Sequence, residues 1–269
     1  MPLPFSGPAR PLSSIDFTRA AQALGCEVAA VEAVRTVEAG GSGFLGDGSG
    51  RPIILYEAHR FARETGGRFN TSHPRLSVPA WDRSLYAGGA AEYSRLHAAI
   101  ALDRAGALRA TSWGLFQILG SNHSLAGYTD VESYVAEMTK SEGAHLDAFV
   151  SFCRATGLDI HLQAKNWAGF ARGYNGTAYA QNAYDVKLAA AYAKAMGLTT
   201  AAPTVIRIGA QGPAVTELQR ALARAGFPVT VDGIFGRGTD VVVQQFQQAR
   251  GLKADGIAGP ATWSSLLRQ

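Results

Sequence analysis

Cysteine is nearly missing from this 269-residue chain: Cys26 and Cys153 are the two present, too few for a disulfide framework, so both read as buried free thiols. Long apolar runs are missing as well. The longest candidate, "VKLAAAYAKAMGL", carries two lysines and stops at Gly197, which excludes a membrane-spanning helix of about 18 apolar residues or more. The opening stretch "MPLPFSGPARPLSS" has prolines at 2, 4, 8 and 11 and lacks the apolar core, about 7 to 15 residues long, of a secretory signal. The six histidines, at 59, 73, 97, 123, 145 and 161, form no His-Glu-x-x-His or closely spaced Cys/His set, so neither metal nor cofactor is expected. No Gly-x-Ser-x-Gly elbow occurs, and "GGSGFLGDGSG" lacks the Lys-Ser or Lys-Thr that would hold a phosphate; it reads as a flexible cleft edge. The net charge is only +4, without a concentrated basic stripe, which argues against nucleic acid.

What is present suits an ordinary globular protein, since 47% of residues are hydrophobic and the length accommodates two domains of the usual size. Composition shifts at "GLTTAAPTVIRIGAQGP", residues 197 to 213, where small, hydroxylated and proline residues interrupt a helical pattern. The expected division is a first domain over 1–198, a linker over 199–206 and a second domain over 207–269. The second contains an echo: "VDGIFGRGTD" at 231–240 and "ADGIAGPATW" at 254–263 lie 23 residues apart and share Asp-Gly-Ile, then Gly, then Thr. In the preceding "VTELQRALARAGF", Val215, Leu218, Leu222 and Ala225 fall at helical spacing, and Gly226 and Gly251 stand where helices stop. The pattern predicts helix, Asp-Gly turn, helix, Asp-Gly turn, short helix, around Leu218, Leu222, Phe235, Val243, Phe246, Leu252, Ile257, Trp263 and Leu267. These segments resemble the small three-helix peptidoglycan-binding module of cell-wall enzymes, over about residues 207 to 267.

The first domain reads as mostly helical. Within 27–39, Val28, Val31 and Val34 lie three apart and Glu38 continues the series 31, 34, 38 on the same face, which places a carboxyl group towards the core and in the last helical turn, where carbonyl groups make the potential negative. Burial and helix terminus both favour the protonated acid. Such an acid can protonate a departing sugar oxygen. Gly40 and Gly41 then end the helix and leave room for a polymer to approach.

Two later stretches, "SWGLFQILGSNH" at 112–123 and "WAGFARGYNG" at 167–176, follow Glu38 in the order found in the lysozyme-like superfamily. With "VEAGGSGFL" and "RPIILYEAHRF", they resemble the N-acetylmuramidase domain of modular phage endolysins and related prophage proteins. The 76-position separation of Glu38 and Gly114 exceeds the interval in lytic transglycosylases. In that interval Pro52 precedes a short strand, Ile53 to Tyr56, with Glu57 at its end. A hydrolase requires a second carboxylate, as base or nucleophile; Glu57 is the candidate and Asp47 the next. The competing role for Glu57 is an ion pair with Arg60 or Arg51. Gln117 and Asn175 offer amides to sugar hydroxyl and N-acetyl groups, and Tyr174 a flat face with a hydroxyl tip. Trp113 and Trp167 could stack on sugars but suit a core better.

The resemblance implies a mainly α fold, lysozyme-like with a small β-hairpin element, followed by the three-helix peptidoglycan-binding module. It implies a monomeric peptidoglycan hydrolase that cleaves the β-1,4 bond between N-acetylmuramic acid and N-acetylglucosamine, with no cofactor. It also implies an enzyme held in the host cytoplasm until a pore-forming holin opens the way to the wall, with no stable membrane insertion. Two alternatives remain at this stage: a lytic transglycosylase, which needs no Glu57, and a non-catalytic wall-binding protein.

Overall fold

The structure, a computed structural model, describes residues 5–196 and 205–266; Leu267 and linker positions 199–204 lie outside the described residues. The chain divides into two compact units, Met1–Ala164 and Lys165–Gln269.

In the first unit, α1 (Ser14–Leu24) starts on a capping box between Ser13 and Asp16 and stops at Gly25, whose φ of 67° suits glycine. It packs on α2 (Val28–Glu38) and on α7 (Glu142–Thr156). Val31 and Val34 are wholly buried, so this part of the valine stripe faces the core, whereas Val28, in the first turn of α2, is exposed. Between α2 and α7 come α3 (Ala58–Glu64), α4 (Glu92–Ile100), α5 (Arg104–Arg109) and α6 (Val131–Met138); α8 (Asp159–Gln163) closes the unit.

The expected hairpin element is a three-stranded antiparallel sheet: β1 (Ile54–Tyr56), β2 (Thr111–Trp113) and β3 (Ile118–Leu119), in that order. Tyr56 pairs with Thr111 and Leu55 with Ser112, while Trp113 pairs with Ile118. Trp113 is 1% exposed and donates from its indole nitrogen to the Leu108 carbonyl; it is core.

Residues 5–12 form a strap across this unit. Phe5 is buried against the rings of Tyr93, His97 and Trp113. Gly7 donates to the Gly50 carbonyl at 3.0 Å, and Arg10 bridges to Ser141. Both cysteines are free, and burial pushes the half-buried Cys26 thiol up to about 11.

In the second unit, α9 (Trp167–Asn175) packs on α10 (Tyr184–Ala195), with Trp167 buried. Three amphipathic helices follow, α11 (Pro213–Arg224), α12 (Arg237–Ala249) and α13 (Pro260–Leu266). Their core holds Leu218, Leu222, Phe235, Val243 and Phe246, as the spacing predicts. Ile206, expected in the linker, is instead part of that core, 1% exposed and bridged to Ala258. Trp263 packs at the margin of this core, and Leu252 and Ile257 are half-buried.

The repeated turns have a common cause. Gln219 is wholly buried, and its amide nitrogen reaches Asp232 Oδ1 at 2.8 Å, the Ile234 carbonyl at 3.1 Å and Thr239 Oγ1 at 3.1 Å. Its amide oxygen accepts from the backbone of Asp232 and Gly233. Gln247 repeats this with Asp255, Ile257 and Thr262, and accepts from Gly256. A buried amide with every polar atom satisfied fixes each turn, which explains why Asp, Gly, Ile and Thr recur together.

Candidate active site

Glu38 is the last residue of α2 and is half-buried. The helix ends at it, with Ala39 as cap, so the glycines follow the stop instead of making it. Neither Gly40 nor Gly41 needs a positive φ, and a Cβ on either would meet nothing within 4 Å. That open space agrees with room for a large ligand beside the carboxyl group.

The glycine-rich segment beyond is not the flexible edge that composition suggests. Ile53 donates to the Gly43 carbonyl and Leu45 to the Arg51 carbonyl, both at 2.8 Å, with a bridge between Phe44 and Pro52. Two buried residues at the start of α7 hold it from behind. Glu142 accepts from Gly43 N at 2.7 Å, from Ser42 Oγ at 2.9 Å and from Leu12 N at 3.1 Å. His145, 1% exposed, stacks on Phe44 with centroids 4.9 Å apart. Its Nδ1 accepts from Leu115 N at 3.0 Å, and its Nε2 donates to the Met138 carbonyl at 2.7 Å. Burial pushes this imidazole down to about 4, so it is neutral near pH 7. A Cβ on Gly43 would lie 2.5 Å from His145 Nδ1, and one on Gly114, where φ is 70°, 2.8 Å from the same ring. These two glycines are required by a histidine distant in sequence. Nothing in the sequence marks Glu142 or His145 as the clamp that joins the segment after Glu38 to the turn before Gln117.

Gln117 sits in that turn with φ of 50°, a left-handed conformation that is uncommon for a residue with a Cβ. Its amide nitrogen donates to the Gly114 carbonyl at 2.7 Å and to Ile53 at 3.2 Å, tying the hairpin to the start of β1. The nitrogen expected for a sugar is thus spent on backbone, which leaves the amide oxygen for a ligand.

Glu57 stands at the other end of β1, one strand of three residues away, roughly 10 Å. It precedes α3 without capping it, and its own N–H donates to the Ala110 carbonyl. Its carboxylate lies 3.4 Å from the Ser112 hydroxyl, which donates to it, and 3.6 Å from His59 Nε2. Burial holds the His59 imidazole below its ordinary value, so this contact is weakly charged near neutral pH. The arginine pair expected as the competing role is not made. Arg51 instead binds Asp47 at 2.9 Å. Hydrogen bonds from Ser49, and then the Arg51 guanidinium, bring exposed Asp47 down to about 2.

Tyr174 and Asn175 end α9, with Tyr174 stacked on Phe170 at 5.6 Å. The sheet thus brings Glu57 and Gln117 onto one frame, and the α7 clamp ties the Glu38 segment to it. Among the described residues, no group of three or more His, Cys, Asp or Glu is placed to hold a metal.

Comparison with known proteins bears directly on this arrangement: the model of the N-acetylmuramidase family matches residues 27–196. The chain belongs to that family. All five candidate residues of this muramidase lie inside the match. A second model, for a peptidoglycan binding domain, matches 211–266. Among solved structures, the muramidase resembles the Burkholderia AP3 phage endolysin, with 45% identity and a TM-score of 0.66 over 70% of this chain and 73% of that one. Curated relatives are matched over short stretches. The zinc D-Ala-D-Ala carboxypeptidase of Streptomyces albus G is 49% identical over 63 residues, 22% of this chain and 24% of that protein. The spore cortex-lytic enzyme of Bacillus cereus is 45% identical over 65 residues, 24% of this chain and 25% of that one. The chain therefore spans about a quarter of the length of these two curated relatives.

Proposed function

We propose that this muramidase hydrolyses the β-1,4 bond between N-acetylmuramic acid and N-acetylglucosamine in bacterial peptidoglycan, as an endolysin. The observation that carries the reading is the family match over 27–196, which spans Glu38, Glu57, Gln117, Tyr174 and Asn175. In this reading Glu38 is the general acid: it gives its proton to the bridging oxygen as the bond from C1 breaks. Glu57 takes a proton from a water whose oxygen forms the new bond to C1, and the carboxylate's lack of an arginine partner among the described residues suits that role. Gln117, Tyr174 and Asn175 contact the glycan.

The C-terminal module, joined by a linker that ends before Ile206, holds the enzyme on the insoluble wall and so raises its local concentration. An open groove of about 860 Å³ between α11 and the first Asp-Gly turn, lined by Thr216, Glu217, Arg220, Arg224 and Ile234, is available for this. None of the helices among the described residues is long and apolar enough to cross a membrane; in this reading the enzyme reaches the wall through a holin's pore and works as a monomer.

The test is mass spectrometry of purified peptidoglycan digested by the wild type, Glu38→Gln and Glu57→Gln. Reducible N-acetylmuramic acid ends that vanish in both variants are expected. Anhydro ends, or an active Glu57→Gln, would instead mark a transglycosylase, and no soluble product would leave a wall binder.

A further inference from the structure

Three of the chain's four tryptophans are packed away or partly so: Trp113 and Trp167 are 1% and 6% exposed, and Trp263 lies against the core of the C-terminal module. Trp81 is 59% exposed. A bare indole on a surface invites a question, because it leaves a large apolar face in water.

Its orientation is fixed. Asp82 Oδ1 accepts from Ser84 N at 2.8 Å and from Ser84 Oγ at 2.7 Å, which caps the short turn Arg83–Leu85 and reverses the chain. Tyr86 thereby returns to Trp81. The indole nitrogen donates to Tyr86 Oη at 2.8 Å, and the rings meet edge to face, 6.4 Å apart and inclined at 65°. With its oxygen accepting from the indole, Tyr86 still has its own hydroxyl proton to donate.

Both feet of this arch stand on the residues that flank Glu57. At one foot, Tyr56 Oη donates to the Leu76 carbonyl at 2.7 Å, and Val78 N donates to the Ala58 carbonyl at 3.4 Å. At the other, the N–H groups of Ala87 and Gly88 donate to one oxygen of buried Glu92, at 2.6 and 2.9 Å, while its second oxygen accepts from Tyr56 N at 3.4 Å. After burial, the charge of Glu57 is the next cause that raises the Tyr86 hydroxyl.

We infer that Trp81 and Tyr86 form an aromatic platform that takes one pyranose ring of an N-acetylated glycan strand beside Glu57. The indole supplies a flat apolar face to the ring's C–H groups, and Tyr86 donates to a sugar oxygen. The inference rests on the muramidase reading for the place of Glu57.

The test uses the full chain carrying Glu38→Gln, with a chito-oligosaccharide of β-1,4-linked N-acetylglucosamine as probe and isothermal titration calorimetry as readout. Saturable binding is expected, weakened about tenfold by Trp81→Ala and largely recovered by Trp81→Tyr, with thermal unfolding unchanged because the ring is exposed. In the chain with Glu38 intact, Trp81→Ala should raise KM on peptidoglycan about tenfold and alter kcat less than twofold. No binding, or equal binding with and without Trp81, overturns the platform whatever the hydrolysis assay shows. Binding that depends on Trp81 in a chain that makes no reducible muramic ends supports the platform and removes the hydrolytic reading instead.

Discussion

Two glycine-rich regions of this chain are held by buried polar side chains, but from different distances. Around the Asp-Gly turns of the C-terminal module, the clasp is local: Gln219 binds Gly233 from 14 positions away and Gln247 binds Gly256 from 9. In the segment after Glu38, Glu142 reaches Gly43 across 99 positions. A local clasp duplicates with its turn and leaves a repeat in the sequence. A distant one leaves only glycines that look loose. The same physics, a buried group whose polar atoms are all satisfied, is therefore plain to see in one region and hidden in the other.

The largest effect should come from cutting the distant clasp. Glu142→Ala strands three donors, from Gly43, Ser42 and Leu12, at about 1–3 kcal/mol for each buried group left unpaired. Denaturant unfolding should show a loss of at least about 3 kcal/mol, and peptidoglycan turnover should fall even where the variant remains folded. A stability within 1 kcal/mol of wild type would mean that the loop does not depend on α7.

Cutting a local clasp should come next. Gln219→Ala unpairs the Asp232 and Gly233 N–H groups and should cost about 2–4 kcal/mol. Because Gln247 holds the other turn separately, the cost of Gln247→Ala should add to it nearly in full; strong non-additivity in the double variant would show the two clasps to be one coupled unit.

The third prediction concerns acid. His145 is held at about 4 in the folded chain and returns to about 6.5 on unfolding. The unfolded state thus binds the extra proton between those values. Stability contributed by the neutral ring is complete above about pH 6.5 and declines as pH falls towards 4, by about 3 kcal/mol in all. His145→Gln, which keeps one acceptor and one donor, should flatten that slope in unfolding curves recorded from pH 7 to 4.

The smallest effect belongs to Gly40→Ala. With open space around it and no positive φ, thermal unfolding should move by no more than about 0.5 kcal/mol, whereas Gly43→Ala drives a methyl into His145. Equal costs at the two positions would contradict the assigned contacts.

This contrast also measures how far the sequence could be read. Val31 and Val34 of α2, the strand before Glu57 and the residues Leu218, Leu222, Phe235, Val243 and Phe246 of the three-helix module follow from local periodicity, whereas Val28 of the same stripe is exposed and the hairpin around Gln117 was expected from the family resemblance. The role of Ile206 was lost because a small, proline-bearing context reads as linker whatever its partner does. Phe5 was lost for a similar reason, since its three aromatic neighbours stand about a hundred residues away. The candidate carboxylates were legible by chemistry and position. What fixes them was not: the contact of Ser112 with Glu57 depends on strand register, and the left-handed turn that spends the amide nitrogen of Gln117 depends on packing against β1.

The strap that begins at Phe5 carries a consequence for proteolysis. Cleavage after Leu12 would leave every candidate catalytic residue in the chain, yet it would strip the aromatic cover from Trp113, free the Gly50 carbonyl and sever the peptide whose Leu12 N–H Glu142 holds. A single nick far from the chemistry would thus act as an off switch. Its footprint would be a protein of nearly full mass, with every candidate carboxylate intact and little power to degrade a wall.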